Sequence, residues 1–330
     1  MFRFGTDVAI DLGTANVCVF VKGKGLVAME PSVVAKNKIT KKIIKIGKEA
    51  QEMLGRTPDN IVAVRPLREG VISDFESTEE MLRYFIKKAC GRSLFRVKVI
   101  VCIPCKVTDV EYRAVCDAVR NTGAKDVKII EEPLAAAIGA GLNIGEPNGN
   151  FVVDIGGGTT DAAVISLGSI VDSESVKIAG DKFDDAIVKY LRKKYNIFVG
   201  DRTAEEVKRR IGCVIPREEK LTMTVKGRCL LTGLPKTIEV SSDETVEAFS
   251  EPVAAILDII HNLFSRTPPE LVGDISENGI CLTGGGALLY GIDKVIEKRI
   301  GVEVKVADEP ELCVVKGTGA SLDTYFDFDD

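Results

Sequence analysis

Two short stretches of the chain, Asp11-Leu12-Gly13-Thr14 and Asp154-Ile155-Gly156-Gly157-Gly158-Thr159, put a carboxylate, glycine and threonine into one tight turn. Each follows an apolar run, residues 8–10 and 151–153, so each carboxylate stands at the end of a strand. Glycine lets consecutive backbone N–H groups converge on one phosphate, and threonine adds a hydroxyl. Asp11 and Asp154 would repel a polyphosphate directly, so the partner they imply is a hydrated Mg²⁺ bridging carboxylate and phosphate oxygens. Either turn alone is also what an ordinary hairpin uses. The repetition is what points to phosphate.

Further residues carry weaker signals. Gly284, Gly285 and Gly286 follow the run ICLT and precede a helical pattern, a junction that lets a ligand approach backbone closely. Glu205, Lys208 and Arg209 share a face of a helix expected to start at Thr203, as a surface salt bridge or as partners for ribose hydroxyls. Cys102-Ile-Pro-Cys105 has CxxC spacing, but a structural zinc site takes four ligands and His261 is the single histidine. These thiols read as a strand end, and His261, on an apolar helix, as a packing or surface residue.

The elements that position these residues alternate between strand and helix, which implies an α/β layered fold. Strand-length apolar runs fall at 8–10, 17–21, 97–103, 127–130, 151–153, 162–167 and 280–283. Helices are expected from Ser77, with Glu80 closing a capping box and Gly91 ending it, from Thr108 with Glu111, and from Thr203 with Glu206. Another spans Val246 to Leu263, where Pro252 should kink or divide it. The segments 8–21 and 151–167 share one plan of strand, Asp-aliphatic-Gly, Thr and strand, so two similar lobes are expected. The final DTYFDFDD reads as a partly solvated tail.

Composition excludes several classes. With 330 residues, 45% hydrophobic and 28% charged, the chain is neither disordered nor a disulfide scaffold. Lys+Arg of 44 against Asp+Glu of 49 gives −5, which argues against a nucleic-acid binder relying on bulk positive charge. No apolar run approaches the ~20 residues that span a bilayer, and Asp7 and Asp11 interrupt any signal-peptide core, so a cytoplasmic location is expected. The nine cysteines lie mostly in apolar runs and are expected to be reduced and buried. One local charge feature stands out. Between Met81 and Thr108 there is no acid but seven cations, and Leu94 and Phe95 lie among them, an arrangement suited to a membrane surface or to packing in the core.

The segments DLGTAN, EEPLAAAIGAGL, DIGGGTTD, AGDKFD, RTAEEVKRRIG and LTGGGALL, in this order, resemble the actin, Hsp70 and sugar-kinase superfamily. The stretches at 23–35, 55–76, 232–240 and 266–271 narrow the resemblance to the MreB family of bacterial actins, with DIGGGTTD and AGDKFD closer to its Mbl branch. The resemblance implies an actin-like ATPase fold of class α/β, with two ribonuclease-H-like lobes flanking a nucleotide cleft and a small subdomain inserted in each. It implies subdomain IA at 1–31, 67–148 and 311–330, IB at 32–66, IIA at 149–179 and 244–310, and IIB at 180–243.

Residue by residue, the resemblance makes Asp11, Gly13, Thr14, Ala15 and Asn16 the first phosphate loop, and Gly156, Gly157, Gly158, Thr159 and Thr160 the second. Asp11 and Asp154 hold the Mg²⁺ shell through water. Glu205, Lys208 and Arg209 meet the ribose side, Gly180 and Asp181 border the cleft, and Gly284, Gly285, Gly286 and Ala287 meet the base. Glu132, Thr159 and Asp161 serve hydrolysis, Asp161 being one carbon shorter than the Glu common in the family. The cofactors implied are ATP or GTP with Mg²⁺. The implied role is a filament that organises cell shape and cell-wall synthesis, with slow hydrolysis timing disassembly. It attaches at the inner face of the cell membrane through Leu94 and Phe95 with Phe2 and Phe4, and it partners itself and cell-wall proteins, not nucleic acid. The alternative is an Hsp70 or sugar-kinase type ATPase using the same cleft without polymerising.

Overall fold

The two Asp-Gly-Thr segments occupy equivalent places in two five-stranded mixed sheets of the same order. In this computed structural model, which describes residues 6–91 and 97–327, the first sheet runs Asp126–Glu131, Lys98–Ile103, Asp7–Leu12, Asn16–Val21, Gly25–Pro31. The second runs Val304–Val306, Ile280–Thr283, Asn150–Ile155, Thr160–Ser166, Ser169–Val176. In each, the central strand pairs antiparallel with the strand after its turn and parallel with a later one. The internal echo is therefore a duplication of topology. Burial on both faces explains the near-continuous apolar runs, as in Asn150–Ile155, where every residue is buried.

Two helices lie between the sheets, Glu132–Gly139 and Cys313–Asp327. They cross so closely that a Cβ at Gly139 would run into the Cys313 carbonyl, and one at Gly317 into that of Ala135. Small residues alone allow this approach, which explains the run Ala135-Ala136-Ala137. Around the crossing, Ala9 and Ile100 of one sheet and Val152, Ala163 and Ile165 of the other share one core with Leu322 and Phe326. The described part of the C-terminal segment is a helix, which continues to Asp327, with Asp323 and Thr324 exposed and Phe326 fully buried, the Lys98 ammonium 5.0 Å from its ring centre; residues 328–330 lie outside the described residues.

The outer faces are covered by Phe75–Cys90 and Asp109–Arg120 on the first sheet, and by Gly180–Tyr195, Ser250–Arg266 and Ile292–Ile300 on the second. Phe75–Cys90 places Met81, Leu82, Phe85 and Ile86 inward, each contributing roughly 1.5–3 kcal/mol at full burial. Its cap is Asp74, whose carboxylate accepts the Ser77 N–H at 3.1 Å; the expected Ser77 cap lies one turn inside. Thr108 and Glu111 do form the reciprocal capping box. Asp201–Ile211 starts before the expected Thr203, after Gly200. Pro252 sits in the first turn of Ser250–Arg266, directly after Ser242–Ala248, so the long apolar pattern is two helices. Two three-stranded sheets, Val34–Asn37 with Ile43–Ile46 and Ile61–Val64, and Thr222–Cys229 with Ile197–Phe198 and Pro235–Ser241, and a two-stranded one, Leu67–Arg68 with Val71–Ile72, complete the sheets of the described residues.

Candidate functional site

A cavity of about 500 Å³ opens between the two large sheets, with both Asp-Gly-Thr turns in its wall. The turns meet face to face. A Cβ at Gly157 would lie 2.7 Å from the Ala15 Cβ, and one at Gly158 would strike the Thr14 hydroxyl, so glycine is required by the opposite loop as well as by any ligand. Gly70 joins them: its N–H donates to Thr14 Oγ1 at 3.0 Å, and a Cβ there would lie 2.6 Å from Thr159 Cγ2. Its φ of +75° suits glycine for the turn between Leu67–Arg68 and Val71–Ile72. The Arg-Glu-Gly-Val turn was the signal for it in the sequence.

The floor of the cavity is acidic. Asp11, Glu132 and Asp154 line it, and Asp161 lies directly behind. Duplication supplies each central aspartate with a donor at the equivalent place: the Cys102 thiol donates to Asp11 Oδ1 at 3.3 Å, and the Thr283 hydroxyl to Asp154 Oδ1 at 2.8 Å. Burial raises Asp11 to about 6 and Asp154 to about 7, against these hydrogen bonds, with neighbouring carboxylates adding to the rise at Asp154. Glu132 is raised well above the usual range, first by burial and then by Asp161, Asp11 and Asp154. Asp11, Cys102 and Glu132 each place one potential ligand atom within 4.8 Å of the others. The Cys102 thiol is held neutral by burial and by Asp11, which leaves oxygen as the ligand type and suits a hard divalent cation.

The structure brings most of the expected residues to this cavity: Gly13, Thr14, Ala15, Asn16, Gly156, Gly157, Gly158, Thr159, Gly180, Glu205, Lys208, Arg209, Gly284, Gly285 and Gly286 with the three acids. Four lie off its wall. Thr160 is buried and donates to the Ile178 carbonyl at 2.7 Å, and Ala287 is buried in the adjoining core. Asp181 faces Arg65 at 3.5 Å. Asp161 is fully buried and held by Cys105, whose N–H and thiol donate to its Oδ1 at 2.9 and 3.1 Å. Lys208 bridges the Gly180 carbonyl at 2.8 Å and Asp184 at 2.9 Å, so the helix face at 205–209 is organised inward at Lys208 and by an Arg209–Glu205 pair at 4.0 Å. Ion pairs across the mouth, Lys182 to Glu69 at 2.8 Å and Arg65 to Asp181, connect the two halves.

Sequence reasoning missed the wall residues Phe183, Leu288 and Leu289, apolar members of the AGDKFD and LTGGGALL segments, and Arg217 and Glu311, which come from segments without a motif. The CxxC pair has a place here as hydrogen-bond donors to Asp11 and Asp161, and all nine cysteines are free. His261 is exposed. Phe2, Phe4, Leu94 and Phe95 lie outside the described residues. Of the seven cations around Leu94, Arg83 pairs with Glu79 and Glu80, Lys88 with Glu30, and Lys106 lies 4.0 Å from Asp172.

Comparison with known proteins agrees with this geometry. The cell shape-determining protein Mbl of Bacillus cereus is 50% identical over 321 residues, covering 97% of this chain and 96% of that protein. A crystal structure of MreB 5 of Spiroplasma citri bound to AMPPNP superposes with a TM-score of 0.95 at 40% identity, covering 99% of each chain. The MamK double helical filament, at 20% identity and a TM-score of 0.82 over 96% of this chain and 98% of that one, shares the fold. The duplicated sheets are thus an actin-like fold, and the family model for MreB/Mbl proteins matches residues 5–329: the chain belongs to the MreB/Mbl family.

Proposed function

We propose that the protein is a nucleotide-switched, actin-like filament protein that organises cell shape, binding ATP or GTP with Mg²⁺ in the cleft between the sheets. The observation that carries this reading is the pair of carboxylate-Gly-Thr turns, one from each sheet, closing on one cavity. Asp11 and Asp154 would hold a hydrated Mg²⁺, which supplies charge neutralisation to phosphate oxygens. The fit is supported by the acidic floor, where burial and mutual repulsion leave the carboxylates in need of a cation. The backbone N–H groups of Gly13–Asn16 and Gly157–Thr159 cradle phosphates, the Gly156 N–H closing the turn on the Thr159 carbonyl at 2.9 Å. Glu132 and Thr159 orient the attacking water. Glu132 need not be a strong base, because a loose phosphoryl transition state demands little proton abstraction early on, so holding that water is its role. Hydrolysis is slow and times disassembly.

The four subdomains follow the boundaries given above, with the crossing at Gly139 and Gly317 as the pivot between halves. Subunits join head to tail, a heterologous contact that extends rather than closes. Attachment to the inner face of the membrane is peripheral, through Leu94 and Phe95 with Phe2 and Phe4; no helix of the described residues is long and apolar enough to cross a bilayer. Cell-wall synthesis proteins are the partners this role calls for.

The test is sedimentation and calorimetry. Mg-ATP or Mg-GTP moves the protein into the high-speed pellet, and Asp11→Ala and Asp154→Ala each weaken Mg-nucleotide binding while retaining the native circular dichroism spectrum. A protein that binds nucleotide and stays monomeric at every concentration is an ATPase of the non-polymerising kind.

A further inference from the structure

The hairpin at Glu69-Gly70 touches both phosphate turns, and the phosphate chemistry above gives it no task. Its strands, Leu67–Arg68 and Val71–Ile72, pair with Arg68 opposite Val71, which leaves Glu69 and Gly70 as a two-residue loop. Both have positive φ, +51° and +75°, the pattern of a type I′ turn. Such a turn prefers Asn or Asp in its first position, so Glu69 stands there against local preference. A residue that breaks a local rule has its reason in the tertiary structure. Here the Glu69 carboxylate accepts from the Lys182 ammonium of the opposite half at 2.8 Å. That hydrogen bond is the main cause holding Glu69 below and Lys182 above their ordinary ranges, so both ends of the pair are charged.

Each end of this ion pair is anchored to a different phosphate turn. The Gly70 N–H donates to Thr14 Oγ1 at 3.0 Å, which ties the hairpin to the first turn. It meets the second by contact alone, where a Cβ on Gly158 would lie 2.8 Å from the Gly70 nitrogen. On the other side, the Gly180 and Asp181 N–H groups donate to the Gly156 and Gly157 carbonyls at 3.1 and 2.8 Å. These bonds fix the first turn of Gly180–Tyr195, which carries Lys182, to the second phosphate turn. Arg65, after the strand Ile61–Val64, adds looser pairs, 3.5 Å to Asp181 and 3.9 Å to Glu205. The separation of the paired charges therefore follows the separation of the turns.

We propose that the Glu69-Gly70 hairpin and its ion pairs form a strap across the mouth of the cleft that sets the rate at which nucleotide enters and leaves. The argument rests on the nucleotide reading above. Widening the cleft separates the turns, and it must break the pair between Lys182 and Glu69 and draw Arg65 away from Asp181 and Glu205. Lys182 and Glu69 are 39% and 46% exposed, so the pair is weak and opens readily, as a gate requires. By linkage, a ligand that draws the turns together also tightens the strap.

The experiment is stopped-flow release of etheno-ADP, chased with excess ADP, from the full chain in Mg²⁺ at a concentration where it sediments as a monomer. Glu69→Gln and Lys182→Gln each speed release about two- to fivefold, the range for an exposed pair. Association quickens as well, because entry passes the same strap, so affinity changes less than either rate. The exchanged pair, Glu69→Lys with Lys182→Glu, returns release most of the way to the parent rate. Salt at about 0.5 M narrows the gap between the parent and the single variants. Unchanged release in both single variants overturns the proposal, as does an exchanged pair that releases no more slowly than the singles. Faster release with unchanged association also overturns it, since that marks a ligand contact rather than a gate. A parent protein that binds neither etheno-ADP nor ADP removes the strap together with the nucleotide reading, whereas binding with unaltered release in the variants removes the strap alone.

Discussion

Cys105 donates twice to one oxygen of Asp161, through its N–H at 2.9 Å and its thiol at 3.1 Å, and this contact joins the two halves of the molecule behind the cavity. Cys105 follows the strand Lys98–Ile103 of the first sheet, and Asp161 lies in Thr160–Ser166 of the second. Burial raises the thiol, with Asp161 adding to the effect, so Cys105 is a neutral donor and not a nucleophile.

Asp161→Ala is therefore expected to destabilise the protein by about 1–3 kcal/mol, because it leaves the buried Cys105 N–H without an acceptor. Nucleotide affinity should change less than about threefold, since the side chain is off the cavity wall. Urea unfolding alongside nucleotide titration checks both. A fall in phosphate release with affinity and stability both unchanged would return Asp161 to the hydrolytic group.

Glu132→Ala removes the water-holding carboxyl at the start of Glu132–Gly139. Nucleotide binding should survive, while phosphate release falls at least about tenfold because the water is held less well. A malachite-green assay beside calorimetry separates the two effects, and a parallel loss of affinity would identify Glu132 as a binding residue.

Gly317→Ala places a methyl group against the Ala135 carbonyl at the helix crossing. Overpacking of backbone on backbone has no flexible side chain to absorb it, so a loss of about 3 kcal/mol or more is expected by chemical denaturation. Gly301→Ala makes a useful contrast: nothing lies near that Cβ, and any cost comes from its φ of +80° alone.

Glu244 provides a pH-dependent prediction away from the cleft. Burial works to raise its pKa, but hydrogen bonds from the Tyr195 hydroxyl at 2.6 Å, Lys194 at 2.9 Å and the Ser241 N–H at 2.8 Å outweigh it and hold the carboxyl at about 2. A depressed folded pKa gives stability that is full above the unfolded value of 4.5 and is lost as pH falls toward 2. Glu244→Gln should cost about 1–2 kcal/mol at pH 7, including part of the cap of Ser242–Ala248, and the gap to the parent should shrink below pH 4. A gap of constant size between pH 7 and 3 would show that shape, not charge, is what Glu244 contributes.

The legible part of this molecule was local. Strand ends at Asp11 and Asp154, the Thr108 capping box, the split at Pro252 and the two matching turns are short-range consequences of residue type and spacing, and they stand as read. Distinguishing Asp74 from Ser77 as a cap needed the actual chain direction at the helix start, because both residue types accept from an N–H three positions on. The DTYFD segment reads as partly solvated, which holds at Asp323 and Thr324, but that Phe326 is its buried residue is decided by the core shared between the two sheets. Asp161 sits in the same strand-and-turn pattern as the phosphate residues, but side chains alternate across a sheet, and pairing with Asp154 in register does not say which face of the neighbouring half will cover it. Cys105, 56 residues away, is what covers it. Gly70 and Arg217 line the cleft for the same reason: each is an ordinary residue of its own segment, and only long-range packing brings Gly70 to Thr14 and Arg217 to the Tyr290 ring.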